Sequence, residues 1–183
     1  KAMKEITIKE ILEAAGGRLL QGSEPDTVTG IKHDSRELEA GDMFVAVIGQ
    51  SMDGHRFIPQ IVRDGCRAVL VSHTDEWFAE IGEASEPVSV ILVDDTIEAM
   101  GRLAAWYLES LNIRRAAVTG SVGKTSTRDM IYYVLSEKYS CGRNLKNYNH
   151  HIGIPISVFR FDENTEAAVL EMGMDAFGEI EYL

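Results

Sequence analysis

A short glycine-containing segment of the sequence carries side chains that could bind phosphate. Residues 118–135 read VTGSVGKTSTRDMIYYVL. Glycines let a backbone curl closely round an anion, a lysine can neutralise the outer phosphates of a nucleotide, and a threonine hydroxyl can bind Mg²⁺. This chemistry makes eight consecutive residues candidates for nucleotide binding, namely Thr119, Gly120, Ser121, Val122, Gly123, Lys124, Thr125 and Ser126.

The segments on either side of this loop have the character of a strand and a helix. A strand is predicted over Ala116–Thr119, and apolar residues recur at helical spacing after the loop, at Met130, Ile131, Val134 and Leu135. A phosphate can lie against a helix N-terminus because unpaired backbone N–H groups point at it. A strict P-loop has glycine where this chain has Val118, so the match is to a shorter variant, T-G-x-x-G-K-T. A plain glycine turn and a P-loop phosphotransferase are the alternatives.

Two further polar features lie downstream of the loop. Asn147 and Asn149 belong to the segment NYNHHIGIP, and Glu171 ends a strand-like apolar run. A carboxylate at a strand end near a phosphate loop can meet the metal of a bound nucleotide. An asparagine-rich surface turn and an ordinary edge carboxylate are the structural alternatives. A metal site at His150 and His151 is disfavoured, since adjacent side chains diverge and no third ligand is suitably spaced.

The composition restricts the classes of partner. The 183 residues have a formal net charge of −11, and 45% of them are hydrophobic. The negative charge would repel nucleic acid and an anionic membrane surface, so we expect neither as a partner. Two cysteines are too few for a disulfide framework, and no apolar run approaches the roughly 18 residues of a membrane span. We therefore expect a cytoplasmic protein.

The first half of the chain alternates between helical patterns and apolar runs. Helical spacing predicts a helix over Ile6–Ala15 that Gly16 ends, and another over His55–Gly65 with Pro59 in its first turn. Continuous apolar runs predict buried strands, which are Val28–Ile31, Asp42–Gly49, Cys66–Ser72 and Val88–Asp95. This alternation indicates an α/β fold with a mixed or parallel sheet covered on its faces.

A strong amphipathic helix follows these strands. Asp95 and Glu98 resemble a capping box, and apolar residues keep helical register as far as Leu111. The phosphate-binding segment begins soon afterwards, which places a domain boundary between residues 95 and 113. We expect residues 1–95 to form a small domain with a mixed sheet. Residues 96–183 would begin a P-loop-type domain with a mainly parallel sheet.

Three parts of the sequence together resemble the ATP-dependent Mur ligases of bacterial cell-wall synthesis. TGSVGKTS (residues 119–126) is similar to the short P-loop of that family, and HDSRELEAGDMFVAVIGQSMDGHRFI (33–58) to its uridine-nucleotide domain. NYNHHIGIP (147–155) and EMGMDAFGEI (171–180) are similar to its central domain. Within these last segments, His150 replaces an asparagine and Asp175-Ala176 replaces an Asn-His pair of the family pattern.

The resemblance implies roles for the matched residues. Lys124 and Glu171 would be the catalytic residues, with Lys124 on the β- and γ-phosphates of ATP. Thr125 and Glu171 would hold Mg²⁺, and Asn147 and Asn149 would lie beside ATP and the substrate. The first domain, 1–95, would bind the uridine nucleotide in a pocket lined or shaped by Asp34, Ser35, Arg36, Asp53, Gly54 and His55.

The resemblance also implies a reaction. The N-x-N and I-G-x-P pattern of residues 147–155 resembles the branch of the family that uses ATP and Mg²⁺ to add D-alanyl-D-alanine to UDP-N-acetylmuramoyl-tripeptide through an acyl phosphate. A ligase that adds the third residue, a folylpolyglutamate-type synthase and a non-catalytic nucleotide-binding module are the alternatives. Family members have a third, C-terminal domain. We therefore expect this chain to be an N-terminal fragment that does not catalyse the reaction by itself. We also expect it to be a monomer.

Overall fold

The computed structural model describes residues 3–82, 86–145 and 147–173. These residues form two compact units, one made of Glu5–Leu103 and the other of Ala104 onward together with the residues before Glu5. In chain order the elements are β1 (Ile6–Thr7), α1 (Ile8–Ala15), β2 (Arg18–Gln21), β3 (Thr27–Val28), β4 (Gly30–Lys32), β5 (Asp42–Val45), α2 (Ile58–Arg63), β6 (Ala68–Val71), α3 (Glu76–Ile81), β7 (Ser89–Leu92), α4 (Thr96–Ser110), β8 (Arg114–Val118), α5 (Lys124–Ser136), β9 (Cys141–Arg143), α6 (Gly153–Val158) and β10 (Ala167–Glu171). The functional division into 1–95 and 96–183 stays a prediction.

The unit Glu5–Leu103 is built on a five-stranded mixed sheet in the order β2-β7-β6-β5-β4. The four strands β4 to β7 are parallel to their neighbours, and β2 is antiparallel to β7. Alternate residues of a strand point to opposite faces, and β5 and β6 are buried along their whole lengths. Both faces of the sheet are therefore covered, which confirms the α/β fold expected for this part of the chain.

Two predicted strands differ in extent from those of the structure. The run Val28–Ile31 is divided between β3 and β4, because β3 pairs with β1 in a separate two-stranded sheet whereas β4 pairs with β5. The run Asp42–Gly49 ends as a strand at Val45. Beyond it the Val47 carbonyl accepts a hydrogen bond from Gly54 N–H, so the backbone bonds within its own loop.

Helices α2 and α3 pack on one face of this sheet. Pro59 lies in the first turn of α2, as predicted, where its missing N–H costs no helical hydrogen bond. The shared core contains aliphatic and aromatic side chains from the strands and both helices, namely Phe44, Val69, Val71, Val90, Ile58, Ile61, Val62, Trp77 and Ile81. Burial of these side chains supplies the main driving force for folding of the unit.

Local capping fixes the ends of α1 and the start of α4. The Thr7 side chain accepts a hydrogen bond from Glu10 N–H while the Glu10 carboxylate accepts one from Thr7 N–H, which forms a capping box. Gly16 ends α1 with a φ of 72°, a left-handed conformation that favours glycine. Before α4 the Asp95 carboxylate accepts hydrogen bonds from Ile97 N–H (2.7 Å) and Glu98 N–H (3.0 Å).

The second unit contains a three-stranded parallel sheet in the order β8-β10-β9. The parallel sheet and the strand, loop and helix around residues 116–135 are confirmed. Helix α5 packs against β9 and β10. Met130 and Val134 on this helix are 69% and 73% exposed, so helical spacing located the helix but not a buried face.

Several short elements were not predicted from the sequence, namely β2, α3, β9 and α6, and β1 occupies the first two residues of the predicted helix Ile6–Ala15, which begins at Ile8 in the structure. Helix α6 is buried along its whole length, and its apolar residues Ile154, Ile156 and Val158 alternate with others at a period of two. That alternation is typical of a strand, and tertiary burial overrides it here. No helix in the three described ranges is both long and apolar enough to cross a membrane.

Candidate nucleotide-binding sites

The phosphate-loop segment is a left-handed turn between β8 and α5. Gly120 and Gly123 have φ values of 145° and 80°, which residues other than glycine rarely adopt. Gly123 is the N-cap of α5, and Thr127 N–H donates to the Gly123 carbonyl at 3.0 Å. The Lys124 ammonium donates to the Gly120 carbonyl at 2.6 Å and therefore lies over the loop. The loop thus presents a helix N-terminus and a cation together, which suits a phosphate.

Glu171 lies beside the strand that leads into this loop. It is the last residue of β10 and pairs in register with Val118, the last residue of β8. Met172 N–H donates to the Val118 carbonyl at 2.9 Å, which extends the pairing by one residue. Glu171 is 4% exposed. The parallel sheet therefore places a buried carboxylate at the edge from which the phosphate loop starts, where ligands of open α/β sheets bind.

Two asparagines hold Glu171 in this position. The Asn144 side-chain amide donates to the Glu171 carbonyl (2.9 Å) and accepts from Glu171 N–H (2.8 Å), so it pairs with the peptide as another strand would. It also donates to the Tyr148 carbonyl at 2.7 Å. The Asn149 amide donates to Glu171 Oε1 at 3.1 Å. Asn149 is a predicted site residue that the structure brings to Glu171, whereas Asn144 is absent from the predicted site.

Arg128 is a second residue that the sequence did not indicate. It lies one turn beyond Lys124 on α5 and is 3% exposed. Its guanidinium donates to the Asn144 carbonyl (3.1 Å), and its Nη1 lies 3.3 Å from Glu171 Oε2. A charged residue inside a helical segment is normally predicted to be exposed to solvent, so the sequence pattern gave no reason to expect Arg128 in a buried site.

Glu171 and Thr125 offer oxygen atoms of the kinds that bind a divalent cation such as Mg²⁺. Glu171 Oε2 is buried, has Arg128 at ion-pair distance and accepts no hydrogen bond among the described residues. Carboxylate and hydroxyl oxygens are the ligands that Mg²⁺ prefers, and Thr125, at the start of α5, supplies such a hydroxyl. The donor types therefore suit the metal that the sequence implies.

The remaining predicted residues of this unit lie at the surface, and so do the two histidines at which a metal site was disfavoured. Asn147 is exposed and has a left-handed φ of 70°, which makes it a turn residue in the backbone. His150 and His151 are exposed and their ring centroids are 5.6 Å apart. The roles of Asn147 and of the loop residues Thr119, Ser121, Val122 and Ser126 stay predictions. The pair Asp175-Ala176 lies outside the described residues.

Asp34, Ser35 and Arg36 form a turn after β4. The Asp34 carboxylate caps the 3-10 turn Ser35–Glu37 by accepting from Arg36 N–H at 3.0 Å. It also accepts from Arg36 Nε (2.9 Å) and Nη2 (2.6 Å), and these hydrogen bonds from the Arg36 side chain hold the pKa of Asp34 well below its usual range. The Arg36 side chain is 86% exposed. The turn therefore displays a guanidinium at the carboxyl edge of the mixed sheet.

Asp53, Gly54 and His55 form a second turn at the same edge of that sheet. Asp53 Oδ1 accepts from His55 N–H (2.9 Å) and lies 2.5 Å from His55 Nδ1. His55 Nε2 accepts from Ser72 N–H (3.0 Å), directly after β6. A Cβ on Gly54 would lie 2.9 Å from Val47 N, so this position requires glycine. Both ring nitrogens of the buried His55 are used within the protein, so it can shape a pocket without contacting a ligand through them.

Burial and hydrogen bonding set the charges of these two residues. Burial lowers the pKa of His55, against the opposing hydrogen bond to Asp53. Burial opposes ionisation of Asp53, but hydrogen bonds with His55 and His73 outweigh it and lower the Asp53 pKa to about 2. The His73 Nε2 atom lies 3.0 Å from Asp53 Oδ2, and the two imidazole rings stack with centroids 3.8 Å apart. The turn therefore combines a neutral His55 with an ionised Asp53 near neutral pH.

Asp53, His55 and His73 also have the separation expected of metal ligands, with donor atoms within 4.8 Å of one another. The hydrogen bond from Ser72 N–H requires a lone pair on His55 Nε2, so the proton of the neutral ring is on Nδ1. A protonated nitrogen cannot bind a cation. The cluster is therefore better explained as a hydrogen-bonded brace between the 53–55 turn and the end of β6.

Sequence comparison places this arrangement in a known family. Residues 27–107 match the model of the Mur ligase family, catalytic domain, and residues 118–183 match the Mur ligase middle domain. The two matches together cover more than half of the chain, in the order in which the two units occur. The chain belongs to the Mur ligase family.

Individual relatives specify the branch of the family that this chain resembles. It is 43% identical over 97% of its length to the UDP-N-acetylmuramoyl-tripeptide--D-alanyl-D-alanine ligase of Bacillus subtilis (strain 168), and 36% identical over 96% to the protein of the same name from Synechocystis. Similar solved structures include MurF from Acinetobacter baumannii (TM-score 0.87, 30% identity, 98% of this chain and 38% of that one). MurF ligase from Thermotoga maritima in complex with ADP has a TM-score of 0.72 and 30% identity, over 84% of this chain and 34% of that one. The chain spans 38% and 37% of the lengths of the Bacillus and Synechocystis proteins.

Proposed function

We propose that this chain carries the nucleotide-binding regions of an ATP-dependent ligase that joins D-alanyl-D-alanine to UDP-N-acetylmuramoyl-tripeptide. The observation that carries the proposal is the buried Glu171 carboxylate, which Asn144 and Asn149 hold beside the strand leading into the phosphate loop. The names of the relatives and the ADP complex of a structural neighbour support it. In this proposal residues 1–95 bind the uridine nucleotide and residues 96–183 bind ATP.

The proposed reaction has two bond-forming steps. A carboxylate oxygen of the tripeptide attacks the γ-phosphorus of ATP, ADP leaves, and an acyl phosphate forms. The amine of D-alanyl-D-alanine then attacks the carbonyl carbon, phosphate leaves, and the nitrogen gives up a proton as the amide forms. Such reactions are accelerated mainly by positioning and by stabilisation of charge, because the protein takes little part in the covalent chemistry.

The ATP-binding part would act through the phosphate loop and Glu171. Lys124 and the N-terminal N–H groups of α5 would hold the outer phosphates, and Asn147 and Asn149 would lie beside the nucleotide and the substrate. Thr125 and Glu171 would hold Mg²⁺. When bound, this ion would neutralise charge that develops on the phosphate oxygens. Lys124 and Glu171 are the two residues to which we assign catalytic roles.

The uridine-nucleotide part would act through the two turns at the carboxyl edge of the mixed sheet. The exposed Arg36 guanidinium is suited to a diphosphate, since a guanidinium forms paired hydrogen bonds with phosphate oxygens. Asp34 and Ser35 would fix the turn that presents it. Asp53, Gly54 and His55 would shape the pocket, since the His55 ring nitrogens are already bonded within the protein.

We also propose a monomeric protein of the cytoplasm that binds neither nucleic acid nor membranes. The net charge of −11 and the free thiols of Cys66 and Cys141 support this proposal. Sedimentation of the chain would reveal self-association if the monomeric state is wrong.

Two ligands and two variants test the proposed function by calorimetric titration of this chain. The wild type should bind ATP with Mg²⁺, and it should bind UDP-N-acetylmuramoyl-tripeptide. Lys124→Ala should weaken ATP binding by at least about tenfold and leave the uridine ligand unaffected, since it removes a contact to the outer phosphates. Asp34→Ala combined with Arg36→Ala should do the reverse.

Matched controls remove exposed charges elsewhere on the same units. Lys138→Ala for the ATP-binding part and Arg63→Ala for the uridine-nucleotide part should change neither affinity. UDP-N-acetylmuramoyl-dipeptide serves as the competing acceptor, and preference for it would favour a ligase that adds the third residue. A folded wild type that binds neither ligand would contradict the proposal. Binding of both ligands that both variants retain would contradict the residue assignments.

A further inference from the structure

Arg128 occupies an unusual position for a charged residue. Every residue of α5 is described, and Arg128 is the one that is buried. Its side chain is 4% exposed, although arginine is rarely fully buried unless it is paired. It follows Lys124 by one helical turn, so it extends from the same helix whose N-terminus is part of the phosphate loop. A buried cation at this place requires compensating partners.

The guanidinium is bonded on three sides. Its Nε and Nη2 donate to Asp129 Oδ1 at 2.9 and 2.7 Å, and its Nη1 donates to the Asn144 carbonyl at 3.1 Å. The same Nη1 lies 3.3 Å from Glu171 Oε2. Asn144 also holds the peptide of Glu171. Arg128 therefore contacts both the carboxylate and the residue that fixes its backbone.

The two oxygens of Glu171 have different surroundings. Oε1 accepts the Asn149 amide at 3.1 Å, whereas the buried Oε2 is at ion-pair distance from Arg128 and accepts no hydrogen bond among the described residues. Oε2 therefore has lone pairs that no hydrogen bond from the described residues uses.

We infer that Arg128 is a positioning residue that couples the phosphate-binding helix α5 to the metal-binding carboxylate of Glu171. The inference rests on the proposed function of Glu171 and adds a residue to it. Arg128 fixes the carboxylate at the end of β10, whose last residue pairs with the last residue of the strand that leads into the phosphate loop. Binding of the divalent cation therefore depends on Arg128, whereas binding of the phosphates to the loop does not.

The shape of arginine matters as well as its charge. A planar guanidinium can contact Asp129, Asn144 and Glu171 at once, while a lysine ammonium is a single point of charge on a flexible stem. Arg128→Lys should therefore restore part of the cation binding that Arg128→Met loses. A residue needed merely for packing would show no such graded recovery.

The experiment measures Mn²⁺ binding to the complex of this chain with ADP, by the electron paramagnetic resonance signal of free Mn²⁺. Arg128→Met should weaken Mn²⁺ binding by at least about tenfold, and Arg128→Lys should weaken it less. ADP affinity in the presence of a chelator should stay within about twofold of the wild type for both variants. Arg143→Met is the matched control, because Arg143 also bonds to Asp129 (2.7 Å), and it should leave Mn²⁺ affinity unchanged.

A double-mutant cycle with Glu171→Gln decides the case if Arg128→Met does not fold. If Arg128 acts through Glu171, Arg128→Lys should have no further effect on Mn²⁺ affinity once Glu171 is replaced. Equal Mn²⁺ affinities in wild type and Arg128→Lys, or an additive loss in the double variant, would overturn the inference. So would a loss of metal-free ADP binding in step with Mn²⁺ binding. Failure of the proposed function is distinguishable, since the wild type would then bind no ADP.

Discussion

At the scale of single residues, neighbours decide what each polar side chain can do. His55 and Glu171 are both almost fully buried, at 1% and 4% exposure. The two ring nitrogens of His55 are bonded to Asp53 and Ser72, which leaves the imidazole neutral and structural. Glu171 instead retains one oxygen that accepts no hydrogen bond among the described residues. Of these two predicted site residues, Glu171 is therefore the better suited to contact a ligand directly.

The buried imidazole of His55 should make folding stability depend on pH. Burial lowers its pKa below the ordinary 6.5, so the unfolded chain takes up a proton that the folded chain does not. Stability from this residue is complete above pH 6.5 and falls as the pH drops through the folded pKa, by at most about 1.4 kcal/mol per pH unit. His55→Gln should flatten this dependence between about pH 6.5 and pH 5, as measured by urea unfolding.

The contributions of other titratable groups that face the His55 ring to the pH dependence must be measured separately. These groups are Asp53, His73 and Asp75. Asp53, with a pKa of about 2, stays ionised throughout this window. His73→Gln measures the contribution of the stacked ring. If the pH dependence of stability is unchanged in His55→Gln and lost in His73→Gln, it is caused by His73 and the prediction for His55 is wrong.

At the scale of elements, capping and register position the candidate sites. Helix α4 begins at Thr96 behind the Asp95 carboxylate, and α5 begins at Lys124 behind the left-handed Gly123. The register of β10 against β8 sets Glu171 opposite Val118. A shift of one residue would turn the Glu171 side chain to the other face of the sheet. The Asn144 amide, which bonds to both polar groups of the Glu171 peptide, helps to hold this register.

Removal of the α4 cap should destabilise the protein by a measurable amount. Asp95→Ala leaves Ile97 N–H and Glu98 N–H without their carboxylate acceptor, which costs about 1 kcal/mol. Chemical denaturation should show a lower midpoint with an unchanged slope. Asp94→Ala removes the same charge from the adjacent exposed position and should change stability by less than about 0.5 kcal/mol. Equal losses in both variants would indicate a general charge effect in place of a cap.

At the scale of the whole molecule, each compact unit has its own buried core. In Glu5–Leu103 the core lies between the mixed sheet and helices α2 and α3, and it includes the fully buried Val69. In the other unit the buried Tyr107 hydroxyl donates to the Phe161 carbonyl at 2.7 Å and accepts from Lys4 N–H at 2.8 Å. The hydrogen bonds of the Tyr107 hydroxyl therefore lie within that unit.

Substitutions in the two cores should therefore have separate effects on hydrogen exchange. Tyr107→Phe leaves the Phe161 carbonyl and Lys4 N–H without a partner and should cost about 1–3 kcal/mol. Protection of backbone amides should fall in residues 111–173, which follow α4, and stay unchanged in residues 5–95, which precede it, as read by mass spectrometry. Val69→Ala, which leaves a cavity, should give the opposite pattern. A uniform loss across the chain in either variant would show that both units unfold together.

The sequence by itself determined the local features of this protein. Spacing and backbone preference predict a strand before the glycine- and lysine-containing residues 119–126 and a helix after them. The structure confirms both elements. The capped start of α4 and the place of Pro59 in α2 were predictable for the same reason. Such features depend on residues within a few positions of one another, so a linear pattern contains the information needed.

Only the tertiary structure decided which distant residues meet. Asn144 and Glu171 are 27 positions apart, and parallel pairing of β9, β10 and β8 is what brings them together. Arg128 lies in a helical pattern that gives no sign of burial, because a charged residue becomes buried only when another element supplies its partners. The tautomer of His55 likewise depends on the N–H of Ser72, 17 positions away. Sheet register and long-range hydrogen bonds therefore determine which residues surround the proposed metal-binding carboxylate. Neither has a local periodicity that a sequence pattern could show.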